Sequence, residues 1–116
     1  MSLTKNYNNL KSDWEVKLQR NEWLFSDFRE SVVKSLMPHE AFAVIPEAVD
    51  LLLNENDIHL IGELFMLLFD IVYKSDTTER HPALIAHWEN IITKVSSIED
   101  YYRRQTDEFK KWFRIP

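Results

Sequence analysis

Residues 57–74 read DIHLIGELFMLLFDIVYK, the densest run of large apolar side chains in the chain. Ile58, Ile61, Leu64, Phe65, Leu68, Phe69 and Val72 recur at steps of three and four, so the stretch reads as a helix. Leu60, Met66, Leu67, Ile71 and Tyr73 cover most of the remaining circumference. A helix apolar nearly all round must be packed on several sides, which makes this the central element. Asp57 is placed to cap its N-terminus, where a carboxylate accepts from first-turn amides and suits the positive end of the dipole. Gly62 costs about 1 kcal/mol against alanine inside a helix, a loss that close approach of a neighbouring helix would offset.

Working outward, residues 46–53 form a preceding helix opened by Pro46, and the polar NEND turn leaves about three linking residues, 54–56. So short a link predicts an antiparallel hairpin. Residues 39–45 have room for two turns at most. Pro38 stops the helical pattern of residues 12–36, whose stripe is Trp14, Leu18, Phe25, Phe28, Val32 and Leu36. Ser12 and Glu15 make a capping box at its start. Asn21 and Ser26 are weak interruptions, so the segment is one helix or two broken near Arg20. Residues 1–11, with three Asn, read as a frayed arm.

On the far side of the central helix, the polar SDTTERH stretch of residues 75–81 is a loop, and Pro82 opens a helix with a Leu84, Ile85, Trp88, Ile91, Ile92 and Val95 stripe. Ser97 and Asp100 announce a last helix striped by Ile98, Tyr101, Tyr102, Phe109, Trp112 and Phe113. Pro46 and Pro82 stand 36 residues apart, each opening a helix that leads into a second one. That is near the ~40-residue period of helical solenoids. The expected fold is a single all-α domain, residues 1–116, of five to six helices in antiparallel hairpins with no sheet, either a HEAT-like stack or an irregular bundle.

Composition narrows the chemistry. Gly62 is the only glycine among 116 residues, which argues against phosphate loops, dinucleotide fingerprints and hairpin turns. There is no cysteine, hence no disulfide or thiolate ligand. No signal-like apolar stretch opens the chain, and its longest strictly apolar run, residues 64–69, falls far short of the ~20 needed to span a bilayer. A soluble, cytoplasmic protein is expected. Net charge is −5, unevenly spread: residues 37–93 hold ten Asp/Glu and two Lys/Arg, whereas the flanking blocks are slightly basic. Such an acidic middle repels nucleic acid and steers basic partners, or is merely a set of solvated helix faces.

The four histidines, His39, His59, His81 and His87, have no zinc-binding spacing, and no cofactor is expected. His59 and Glu63 share a helix face, and Asp70 lies two turns beyond Glu63, a pattern read chiefly as a local hydrogen bond and solvated carboxylates. Tyr101, Tyr102, Arg103, Arg104, Lys110 and Lys111 combine aromatics and cations as a nucleic-acid patch would, though an amphipathic terminal helix has the same composition.

The run Leu51-Leu52-Leu53-Asn54, then Gly62-Glu63, then Lys74-Ser75-Asp76-Thr77-Thr78-Glu79 and Trp88, resembles a group of small HEAT-like bacterial proteins of toxin–immunity loci. The resemblance covers about residues 46–95 and brings no catalytic residue. It implies a protein that works by binding another protein, such as an immunity protein masking a basic toxin site. Glu63, Asp70, Asp76, Thr77, Thr78 and Glu79 are then the expected partner-binding residues, with Gly62, Pro46 and Pro82 structural. The alternative is a small helical enzyme or ligand-binding bundle with a site near His59, Glu63 and Asp70. The two differ in where the carboxylates point: outward and clustered, or inward and converging.

Overall fold

The computed structural model describes residues 2–77 and 79–96. They form six helices and no strand: α1 (Leu3–Lys11), α2 (Trp14–Arg20), α3 (Leu24–Ser35), α4 (Pro38–Asn54), α5 (Ile58–Lys74) and α6 (Pro82–Ser96). The expected last helix, with the aromatic and basic residues from Tyr101 to Lys111, lies outside the described residues, as does Thr78.

The central helix is α5. Nine of its residues are buried, Gly62 among them, and the Asp57 carboxylate accepts from the Leu60 amide at 3.1 Å. Residues 55–57 turn the chain back on α4, and these two helices make the most extensive interface in the molecule. Ser75 closes α5 and Asp76 follows at φ 53°, a left-handed position that Asp tolerates better than most residues just past a helix end. The loop then ends in a cap that the sequence reading missed: His81 Nδ1 accepts from the Ala83 amide at 3.0 Å, while its ring lies 4.9 Å from that of Phe42.

Contacts between helices give their directions. Thr4 meets Glu47 and Lys11 meets Glu55, so α1 runs with α4. Phe42 meets His81 and Lys94 Nζ donates to the Leu53 carbonyl at 2.6 Å, so α6 does too. Phe25 touches His59 and Arg29 faces Asp70, so α3 runs with α5, opposite to α4. The result is two layers, α1, α4 and α6 in one and α3 and α5 in the other, around a core that includes Ile45, Leu52, Phe65, Leu68, Ile71 and Ile91. Among the described residues, no helix is long and apolar enough to cross a membrane.

Three expectations need correction. The expected frayed arm, residues 1–11, is not one over its described residues 2–11: α1 buries Leu3 and Tyr7, and Glu47 binds its N-terminus by accepting from the Thr4 amide and hydroxyl, each at 2.7 Å. Ser12 does not cap a helix start but ends α1, and α2 begins after Asp13, at φ 53°. Pro46 opens nothing, because α4 begins at Pro38 and runs through Pro46. Proline inside a helix costs about 3 kcal/mol. Packing of α1, α5 and α6 on α4 offsets that loss, and Ala41, Ile45, Ala48, Val49 and Leu52 hold one buried stripe across the proline. The spacing between Pro46 and Pro82 therefore does not mark equivalent helix starts. The open choice over residues 12–36 resolves as two helices, parted where Asn21 Oδ1 accepts from the Trp23 amide at 3.1 Å.

Candidate functional site

The candidate site lies where α3 packs beside α5. Arg29, Glu63 and Asp70 meet there, and Arg29 is the residue that sequence reasoning missed. Its signal was weak: one cation in the half-buried margin of an amphipathic stripe. Glu63 and Asp70 stand seven residues apart on α5, hence on one face, and Arg29 comes across from α3 to meet that face. Its Nη1 lies 3.7 Å from Asp70 Oδ2. The Arg29 side chain is mostly buried, at 19% exposure, whereas that of Asp70 retains 41%.

Arg29 forms part of a wall between two spaces. Outside is an open groove of about 390 Å³ between α3 and α5, with Val33 and Phe69 as apolar lining, Tyr73 and Lys74 at one end, and Asp70 and Glu30 also lining it. Inside is a small cavity of about 10 Å³, lined by Tyr7, Leu10, Phe25, Phe28 and Leu64 together with Arg29 and Glu63. Arg29 Nε and Glu63 Oε2 are both buried without a hydrogen-bond partner. Burial pushes the carboxyl of Glu63 up from its ordinary range, against the opposing pull of Arg29 and His59. Asp70 is raised by the same cause, and Arg29 again opposes it.

His59 extends the constellation toward α2. Its Nε2 is 3.8 Å from Glu63 Oε1, and its ring stacks on Trp14 with centroids 5.0 Å apart and planes inclined by 14°. Phe25 completes the aromatic group, 5.7 Å from Trp14. This contact is a main tether of α2, which has no buried residue.

The partner-binding residues expected from sequence do not form one patch. Asp76 and Glu79 are exposed and Thr77 half-buried in the loop after α5. Asp70 lies near that end of α5, but Glu63 lies thirteen residues before Asp76, about 20 Å away at ~1.5 Å per residue. The expectation that Glu63 and Asp70 are simply solvated also fails, since both are half-buried against Arg29. Nor do His59, Glu63 and Asp70 converge on one pocket: Glu63 lines the inner cavity and Asp70 the outer groove. Among the described residues, no group of three or more His, Asp or Glu could hold a metal ion.

Several carboxylates of the acidic middle are structural. Glu47 holds the start of α1, Asp57 caps α5, Glu40 accepts from the Met37 amide, and Glu55 is buried at the turn between α4 and α5. The acidic surface is therefore smaller than composition suggests. Compared with known family models, characterised proteins and solved structures, the chain matches none.

Proposed function

We propose that this is a non-catalytic protein-binding protein whose partner docks in the groove between α3 and α5. The observation that carries the reading is the makeup of that groove: an exposed Tyr73, a largely desolvated Arg29 and an apolar base at Phe69, in an open channel between two parallel helices. Tyrosine and arginine are the side chains that most often dominate binding energy at interfaces. The two-layer order of helices supports a helical-repeat architecture, in which such surfaces are the usual recognition face. Asp70 and Glu30 in the groove, with Asp76 and Glu79 in the loop beyond, favour a basic partner. In its most specific form the reading is that of a cytoplasmic bacterial immunity protein masking a basic toxin, which rests on the resemblance of residues 46–95.

A photo-crosslinking residue placed at Tyr73, with one at the exposed Thr93 on α6 as control, tests the groove in cells. Tyr73 should capture a defined basic protein that Thr93 does not. Identical captures from the two positions would refute the groove. With the partner in hand, Asp76→Lys combined with Glu79→Lys should slow association at low salt and leave the melting temperature nearly unchanged. Unaltered association would confine recognition to the groove itself.

A further inference from the structure

Arg29 belongs to both spaces, and its two sides are unequally satisfied. Toward the groove it has Asp70, at 3.7 Å, a separation too long for a strong charge-assisted hydrogen bond. Toward the interior its Nε has no partner, and an oxygen of Glu63 that lines the same small cavity has none either. A guanidinium carries five donors in a planar fork, so one side chain can serve either carboxylate through modest rotamer changes. The cavity is about 10 Å³, too small for a ligand, and Arg29 is part of its lining.

We infer that Arg29 is a two-position arginine, paired with Asp70 in the free protein and turned inward to Glu63 when a basic side chain of the docked partner takes Asp70. The inference rests on the groove being the docking face. It adds the chemistry recognised there: a lysine or arginine of the partner, received by a carboxylate that the protein's own arginine vacates. The exchange conserves pairing. Asp70 trades one cation for another, and the half-buried Glu63 gains one, so docking also supplies a donor to the carboxylate oxygen left without a partner behind the groove. Other charged groups around the pair keep their places in this scheme: His59 stays stacked on Trp14, Glu30 stays paired with Lys34 at 2.7 Å, Lys74 lines the end of the groove, and the Tyr7 hydroxyl stays on Glu55.

The experiment is a carboxyl-carbon NMR titration of Glu63. Asp70→Asn removes the outer partner as a docked cation would, and should raise the acidity of Glu63 roughly tenfold as Arg29 turns inward. Loss of a neighbouring negative charge acts in the same direction, so the change is measured again in an Arg29→Gln background, where it should all but vanish. An equal change with and without Arg29, or no change at all, would overturn the exchange. Should Arg29→Gln fail to fold, nuclear Overhauser contacts of the Arg29 Nε–H in Asp70→Asn give the same answer: contacts to the Glu63 side chain strengthen if the arginine turns and are unchanged if it does not. A hexa-arginine peptide added to the native protein should reproduce the Glu63 change. If Asp70→Asn shifts Glu63 and the peptide does not, the arginine moves but a basic side chain is not its trigger, and the proposed partner chemistry fails while the groove reading remains for the crosslinking test.

Discussion

Glu55 and Glu63 are eight residues apart in one helical hairpin, both withdrawn from water, and their surroundings are opposite. Glu55, at 4% exposure, accepts from the Tyr7 hydroxyl, from Lys11 Nζ at 3.0 and 3.2 Å, and from the Asn56 and Asp57 amides at 3.1 Å each. Burial alone would raise its carboxyl, but these donors overcome the penalty and hold it below the ordinary range. The Tyr7 hydroxyl is correspondingly raised, chiefly by burial and then by its bond to Glu55. Glu63 has one oxygen near His59 and another with no partner, and burial prevails. A buried carboxylate with a full set of donors fixes structure. One left short of them is a reserve that a rearrangement can use.

The sharpest way to break the contrast is Glu55→Gln. The amide NH2 of glutamine cannot accept from the Asn56 and Asp57 amides that Glu55 Oε2 now serves, and the lost charge weakens the Lys11 tie of α1 to α4, so urea unfolding should show a loss of about 3 kcal/mol at pH 7. Gly62→Leu probes the hairpin between the two carboxylates. Gly62 is buried, and the added side chain should overpack α5 at a cost of about 1–3 kcal/mol, read as a lower thermal midpoint. A raised midpoint would mean that helix propensity outweighs packing there. Trp14→Ala removes the ring stacked on His59, the imidazole beside Glu63. The stacking lost is worth about 1 kcal/mol, and hydrogen exchange should quicken through α2 while α4 and α5 stay protected.

The smallest effect is expected from Glu63→Gln. Neutralising an under-satisfied, still partly solvated carboxylate should be neutral or stabilising, by at most about 1 kcal/mol at pH 7 once solvent screening is counted. The pH dependence sharpens the comparison. Glu55 is lowered on folding, so its contribution is present above the unfolded carboxylate pKa, about 4.3, and is lost as pH falls through the lower folded value. Glu63 is raised, so its cost is present above its folded value and disappears as pH falls toward about 4.3. Stability curves of the two glutamine variants should therefore approach that of the native protein on acidification from opposite sides. Curves that approach from the same side would mean that the two sites are not different in kind.

Much of this organisation was legible residue by residue. The helix over residues 58–74, its Asp57 cap, the short turn from α4 and the start at Pro82 all follow from local rules of periodicity, capping and proline geometry, which depend on residues close in sequence. The buried Gly62 was legible for the same reason. The helical identity of residues 3–11 was not, because Leu3 and Tyr7 are its two buried anchors in a mostly polar segment, and the carboxylates that hold Thr4 and Tyr7, Glu47 and Glu55, lie more than forty residues away. Continuity through Pro46 was recoverable from the Ala41, Ile45, Ala48, Val49 and Leu52 spacing, but local rules weigh the proline first.

Sequence alone determined that the protein is helical, that α5 is its centre and that its middle is rich in carboxylates, since backbone propensity and apolar periodicity are properties of short segments. Tertiary structure alone decided what each carboxylate does. Asp57 caps its own helix, Glu47 and Glu55 bind α1, Asp70 faces an arginine from α3, and Glu63 feels that arginine's charge without bonding to it. The physical reason is that a carboxylate's state is set by the donors and the solvent within a few ångströms of it, and the packing of distant helices chooses both.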